Sequence, residues 1–572
     1  MTTTAGGTAT STGSERNSDY DPSVLKGVFE KNYTYANGFE RNTHRYAGRT
    51  ALTDSVTGAS WTYAELGEVT GRLVAGLREH GVGTGDVVCY QLMNRPEFAF
   101  LYLATQGLRA VGSPMNFRLA PGESAFILDD SRPAVFFFEA SDAAQVAAAL
   151  ELAEHRPEVL VAVGDDDDLA GLDRILRFDD LLVEGAPSFT APDDATTWDE
   201  TTRLYTSGTT GRPKAVPLTS LNEVLTAHDV IINMSLTPKD RTMNMSPWFH
   251  RGGTYCAGPN TVFYVGAEAV TLPQFDPGLV MDLVEERGLT YVIGAPTNLE
   301  RLADEQEAKP RDLSTLKGIV TMGAPFERTA ALRYQKVLTP NISNGYGTTE
   351  AFWNTFLPGD ELTTFAGAAG RASIDDDVVV VKVSSEGPGD PAKPVAKDGK
   401  EIGEVAVRSV KSGYTYRGNP EEDAKKFRDG WFFAGDLATW NDEEVITVVG
   451  RKDDMIISGG ENVHPVQVEE TLAQHPAVAD SIVCGMADTE WGQVVVAYIV
   501  RRPGVADDEQ QAADALEAHC RASVDLAGFK RPRYYSFVAE LPYTATGKKQ
   551  HFVMQDRSPR DFADGRFVKP RR

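Results

Sequence analysis

Between residues 61 and 139 the chain keeps changing its hydrophobic period, and that constrains its fold more than any other feature. "WTYAELGEVTGRLVAGLREHGV" opens with Thr62 and Glu65 spaced as a capping box, and Leu66, Val69, Leu73 and Leu77 then recur at helical intervals. "GDVVCYQLM" follows as a short apolar strand. "PEFAFLYLATQGLRAVG" and "PGESAFILDDSRPAVFFFE" repeat helix then extended run, and "DPGLVMDLVEERGLTYVIGAPT" does so again from Asp276. Helix and β-rich runs alternating at this spacing predict doubly wound α/β subdomains with largely parallel strands. After about residue 365 the pattern becomes period two with turn-rich breaks, which predicts a small β subdomain of antiparallel strands. A further α+β unit follows "VVGRKDDMIISGG". The expected class is therefore α/β. The large N-terminal domain is placed at residues 21–451 and a small C-terminal domain at 454–572, with the boundary at 452–453 between them. Residues 1–20 read as a disordered tail, in part a cloning remnant.

Composition removes several function classes. The 572 residues carry a formal charge of −26, so generic nucleic-acid binding is not expected, and any site for an anion must be locally positive. The four cysteines form no CxxC pair and the nine histidines no HExxH, which argues against a disulfide framework or a zinc site. No apolar run approaches the length of a membrane span, and the N-terminus has no signal-peptide pattern. A cytoplasmic protein with no membrane partner is expected. The sequence allows a homodimer without fixing the oligomeric state.

"RLYTSGTTGRPKAVP" (Arg203 to Pro217) is rich in glycine, serine and threonine and carries one lysine. Backbone N–H groups and hydroxyls in such a turn suit phosphate oxygens. It is not a Walker A loop, because Pro213 precedes Lys214 and Ala215 follows it. From Thr206 to Lys214 it resembles the phosphate loop of the adenylate-forming superfamily, which contains acyl-CoA synthetases, nonribosomal-peptide adenylation domains and luciferases. Four more segments resemble that superfamily's motifs in its order: "NGYGTTE" (Asn344 to Glu350), "WFFAGDLATW" (Trp431 to Trp440), "VVGRKDDMIISGGENVHP" (Val448 to Pro465) and "LPYTATGKKQ" (Leu541 to Gln550). Ala215, Ala434 and the run Lys549, Gln550, His551 depart from the usual pattern.

The resemblance implies a two-step ligase using ATP, Mg²⁺ and coenzyme A. A carboxylate attacks the α-phosphate of ATP to give an acyl-adenylate, and a thiol then displaces AMP. It implies that Thr206, Ser207, Gly208, Thr209, Thr210, Gly211 and Lys214 hold phosphates. Gly323, Ala324, Pro325, Asn344, Gly345, Tyr346 and Gly347 are expected around adenine, with Thr349 on the α-phosphate and Asp436 and Arg451 at the ribose. Glu350 is expected to ligate magnesium, and Lys548 to bridge the two anionic reactants, with Lys549 as its rival. The small domain is expected to turn at Asp453. That would bring Lys548 to the first half-reaction and the Gly459–Gly460–Glu461 segment to the second.

"SPWFHRGGTYCAG" (Ser246 to Gly258) matches the superfamily's acid-pocket segment. His250 is expected near the substrate carboxylate, within a pocket of Trp248, Phe249, Arg251, Gly252 and Gly253, the glycines leaving room and Phe263, Phe352 and Trp353 adding apolar wall. The segment lacks the aspartate that pairs an amino acid's amine, so a small-molecule carboxylic acid, bulky or aromatic and apolar, is expected. "GENVHPVQVE" and "MADTEWGQ" are similar to CoA ligases of the benzoate and 4-chlorobenzoate type. That similarity places CoA against Trp491, Phe529, Lys530 and Arg531, although "FKRPR" reads equally as a solvated basic turn. The alternative is a stand-alone adenylating enzyme that loads the phosphopantetheine thiol of a separate carrier protein.

Overall fold

A computed structural model describes residues 21–166, 168–207, 213–384, 387–459, 461–503, 508–523, 526–543 and 549–571. Two large sheets dominate the N-terminal part. One has seven strands in the order Ile175–Arg177, Val159–Val163, Val135–Glu139, Val87–Gln91, Val111–Pro114, Glu200–Ser207, Pro213–Thr219. All its neighbours are parallel except the last pair, where Thr206 sits opposite Lys214. The other has nine strands. Its interior run of Ile342–Thr348, Gly318–Met322, Tyr291–Gly294, Arg241–Asn244, Glu268–Val270 and Thr50–Thr53 is parallel, and the strands at both edges are antiparallel.

The helices form where the periodicity places them. Tyr63–Glu79 starts at Thr62, whose side chain accepts from the Glu65 N–H while Glu65 returns the contact, the expected capping box. Helix Pro96–Leu108 is apolar over most of its surface, and burial accounts for it: every residue except Glu97 is buried. Phe263, expected near the acid, is instead fully buried 6.3 Å from Phe39 in the core beneath these helices.

Strands Asp376–Val381, Gly403–Ser409, Phe427–Arg428, Trp431–Trp440 and Ile446–Arg451 form the antiparallel β subdomain. The change of sheet falls between Arg451 and Ile456. Strand Ile456–Ser458 joins Glu461–Val463, Val478–Asp488, Gly492–Arg501 and Tyr534–Phe537 in a separate sheet, packed with helices Pro465–Ala473, Glu509–Ala522 and His551–Ala563. Lys452 stays with the β subdomain, its ammonium 3.0 Å from Glu404 and its N–H on the Gly435 carbonyl. Among the described residues no helix is long and apolar enough to cross a membrane. All four cysteines are buried and free, and burial pushes the Cys89 and Cys520 thiols up to about 11.

A buried ion cluster locks the β subdomain to the nine-stranded sheet's helices. Lys411, 1% exposed, sits 2.8 Å from Asp229 and 3.1 Å from Asp376. Two carboxylates share one cation, and burial raises the Asp376 carboxyl to about 6 although Lys411 opposes this. A carboxyl raised in the fold above its unfolded value favours the protonated native state. Stability is therefore fullest below the unfolded value and falls as pH climbs through 6. Asp376→Asn is expected to remove that slope and to be more stable than wild type at pH 8 by about 1–3 kcal/mol, read by urea unfolding at pH 5 and pH 8. Lower stability at pH 8 would show that the charge of Asp376 is needed.

Candidate active site

The acid-pocket and nucleotide residues singled out in the sequence gather at one edge of the nine-stranded sheet, outside the carboxyl ends of three strands within a run of four, Tyr291–Gly294 lying between the first two. Ser246–His250 follows Arg241–Asn244, Gly323–Pro325 follows Gly318–Met322, and Gly347–Glu350 closes Ile342–Thr348. Parallel α/β sheets place ligand crevices at this edge because the connecting loops there diverge.

Tyr346, Asp436 and Arg451 form one hydrogen-bonded group drawn from two sheets. The Tyr346 hydroxyl donates to Asp436 Oδ2 at 2.6 Å, and Arg451 donates to Asp436 Oδ1 at 3.0 Å and to the Ala434 carbonyl at 3.2 Å. Strand register makes this possible, since Asp436 and Arg451 are opposed in the antiparallel pair of the β subdomain. Asp436, Asp454 and Asp453 hold the Arg451 guanidinium above its ordinary range against the pull of burial, and burial together with Asp436 raises the Tyr346 phenol. Gly323 has φ +85°, and a Cβ built on it would meet nothing within 4 Å. The backbone after Met322 therefore opens onto free space, as a flat ligand would require.

Glu350 lies one turn further on. Its Oε1 accepts from the Tyr416 hydroxyl at 2.6 Å. Among the described residues no group of three or more His, Cys, Asp or Glu side chains converges on a metal position. A lone carboxylate of this kind fits a hard cation shared with substrate phosphates, not a cation caged by the protein.

Arg251 does not present its guanidinium to open space. It is 2% exposed, donates to the Thr349 carbonyl at 2.7 Å and the Lys411 carbonyl at 2.6 Å, and lies over the rings of Tyr255 and Phe352. Burial lowers it to about 10, with Tyr255, Glu223, Glu350 and Asp376 working to keep it charged. It braces the Thr349–Glu350 turn from behind. Gly253 does not leave room for a ligand either: a Cβ there would sit 2.0 Å from the Pro247 carbonyl oxygen, so the glycine is needed for the helix Arg251–Tyr255 to fold onto its own lead-in. Trp248 and Phe249 are buried, with Phe249 5.5 Å edge-on to Phe117 and 4.3 Å from the ring of half-buried His250. Phe352 and Trp353 stack at 5.2 Å within the core behind the site.

In the C-terminal domain Trp491 is 36% exposed beneath the Arg533 guanidinium, 4.4 Å from its ring centre, and Phe529 is exposed. Lys530 donates to Gln467 at 2.7 Å and Arg531 pairs with Glu517 at 2.6 Å, so both have protein partners. Lys549 lies 2.8 Å from Asp480 and 3.5 Å from Glu469, while His551 pairs with Glu469 at 2.7 Å. Gly208, Thr209, Thr210, Gly211, Gly460 and Lys548 lie outside the described residues, as does the side chain of Ser207.

Two known domain families match the sequence: AMP-binding enzyme over residues 39–416 and AMP-binding enzyme C-terminal domain over 467–548. The chain belongs to the AMP-binding enzyme family. Within this adenylate-forming superfamily it is an enzyme of the AMP-forming acyl- and aryl-CoA ligases. It is 34% identical to a feruloyl-CoA synthase of an Amycolatopsis species over 86% of this chain and 92% of that one. It is 31% identical to an indoleacetate–CoA ligase of Aromatoleum aromaticum over 85% and 91%. Its fold is similar to that of an anthranilate CoA ligase in complex with anthranoyl-AMP, at a TM-score of 0.81 and 27% identity over 93% of this chain and 98% of that one.

Tyr416 and Arg251 are the two site-supporting side chains whose work the sequence reading missed. "YTYRGNPEED" carried a visible signal, an aromatic embedded among turn formers and acids, but nothing in it named Glu350 as the partner.

Proposed function

We propose that this enzyme activates a bulky or aromatic, apolar carboxylic acid with ATP and transfers the acyl group to coenzyme A. The observation that carries the reading is the group Tyr346–Asp436–Arg451 beside open Gly323, with Glu350 on the same strand end. An aromatic ring, a carboxylate acceptor for a diol and a single metal-competent carboxylate stand together at the sheet's carboxyl edge. In this reading Tyr346 and the backbone of Gly323, Ala324 and Pro325 hold adenine, Asn344, Gly345 and Gly347 shape the strand beneath it, and Asp436 with Arg451 takes the ribose. Thr349 meets the α-phosphate. Glu350 would hold Mg²⁺, which neutralises phosphate charge when bound. Thr206 and the loop from Ser207 to Gly211 reach the outer phosphates.

A carboxylate is a poor electrophile because its oxygen leaves badly, and adenylation makes that oxygen part of a phosphate leaving group. The step joins two anions, so a cation must stand where their charges meet. Lys548 takes that role. His250 orients the acid's carboxylate, with Phe249 and Trp248 as the apolar side. Three aromatic acids appear in the names of the relatives, and the absence of a carboxylate in Ser246–Gly258 favours an acid without an amine partner. The contacts of Lys452 with Glu404 and Gly435 in the β subdomain support a hinge at 452–453 that turns at Asp453. After rotation, Gly459–Gly460–Glu461 would line the thiol's path, and Trp491, Phe529, Lys530 and Arg531 would meet the CoA nucleotide.

The test is ATP-dependent CoA ligation across hydroxycinnamic, benzoic, indolic and long-chain aliphatic acids. The expected result is acid-dependent AMP release with thioester formed from at least one aromatic acid. Adenylate formation without any CoA thioester would transfer the assignment to a carrier-protein thiol.

A further inference from the structure

The motif lysine Lys214 is where the structure departs most from the phosphate-loop reading. It sits on strand Pro213–Thr219 with its side chain only 6% exposed, and its ammonium is paired with Glu422, itself 9% exposed. Glu422 is fixed in turn. Its N–H is capped by Asn419 at the start of helix Pro420–Lys426, and its second oxygen accepts from Lys425 at 2.7 Å. Burial disfavours the Glu422 charge, but Lys214 and Lys425 hold the carboxyl below its ordinary range. The same ammonium lies 5.3 Å from the centre of the Tyr416 ring, and the Arg417 N–H reaches back to the Ala215 carbonyl at 2.9 Å. Tyr416 is the residue whose hydroxyl holds Glu350.

We propose that Lys214 is a positioning residue: paired with Glu422 and packed on the Tyr416 ring, it fixes the tyrosine that orients Glu350, and it does not contact phosphate. Turning the ammonium toward a nucleotide would strip a buried carboxylate of its principal partner, a costly exchange that a loop lysine in solvent does not face. The chain of contacts ends on the Glu350 side chain while Arg251 holds the Thr349 carbonyl, so two buried cations brace one short turn. The inference rests on Glu350 being the carboxylate that meets the magnesium of MgATP. Groups that orient a metal-binding carboxylate typically change metal affinity or activity by about 10–100-fold when removed.

The experiment compares Lys214→Met, Glu422→Gln, the double variant, Tyr416→Phe and Lys214→Arg. MgATP affinity is measured by calorimetry, and acid-dependent pyrophosphate exchange is measured across Mg²⁺ concentrations. Positioning predicts that Lys214→Met and Glu422→Gln lose similar amounts, about 10–100-fold, with a raised Mg²⁺ requirement. It also predicts that the double variant is no worse than the poorer single one, that Tyr416→Phe shares the Mg²⁺ shift, and that Lys214→Arg recovers most of the loss. A Glu422→Gln enzyme with normal or tighter MgATP binding, beside a crippled Lys214→Met, would overturn the proposal and return the lysine to the phosphates. If Lys214→Met does not fold, Glu422→Gln and Tyr416→Phe decide the matter alone, since wild-type Mg²⁺ dependence in both refutes it. Wild-type protein without acid-dependent exchange would strike at the enzymatic reading, while calorimetry still judges Lys214.

Discussion

Lys548→Ala is expected to lower acid-dependent pyrophosphate exchange by about 10²–10³-fold, the usual worth of a charge aimed at a developing anion. Thioester formation from supplied acyl-adenylate is expected to stay close to wild type. The asymmetry follows from the chemistry: only the first half-reaction brings two anions together. Flanking contacts make the experiment clean. Tyr543 pairs with Lys549 across the segment, Lys549 is taken up by Asp480 and Glu469, and His551 holds Glu469 from the other side. Those anchors remain when Lys548 is truncated. They also count against the rival: Lys549 is already paired with Asp480 and Glu469, which hold its ammonium above its ordinary range although burial works against it. Equal loss in both half-reactions would mean that Lys548 supports the domain, not the adenylation step.

Gly459→Leu is expected to do the opposite, slowing thiol transfer by about 10²-fold, the scale of a misplacement of about 1 Å at a reacting centre. Pyrophosphate exchange should be spared. Gly459 has φ +61°, a region that leucine resists, and its N–H donates to the Trp491 carbonyl at 2.8 Å. A Cβ at this position would stand 2.7 Å from the Trp491 ring, so the indole must shift out from under Arg533. If thioester formation from supplied acyl-adenylate proceeds at the normal rate, neither Gly459 nor Trp491 lines the thiol's route.

Much of this architecture could be read before any coordinates. The capping box at Thr62 and Glu65, the apolar helix after Pro96 and the switch to period two beyond residue 365 are local patterns, and local patterns are written contiguously in a sequence. The edge of the nine-stranded sheet was legible because its loops carry motifs. What could not be read is how distant side chains divide their bonds. Lys411 meets Asp229 across 182 positions, Lys214 meets Glu422 across 208 and Tyr416 meets Glu350 across 66, and no periodicity encodes such meetings. Arg251 and Gly253 misled for the same reason. In a pocket-like segment they looked like lining, yet one is consumed by backbone carbonyls and the other by a backbone approach that only the fold brings about.

The burial of the four native thiols has a practical corollary for following the proposed rotation about Asp453. Maleimide dyes react with accessible thiolates, and these sulfurs are neither accessible nor readily ionised. A pair of cysteines introduced on exposed positions, one in each domain, can therefore carry fluorophores without first stripping the protein of its own. Energy transfer between them would then report catalytic turnover as a distance in real time.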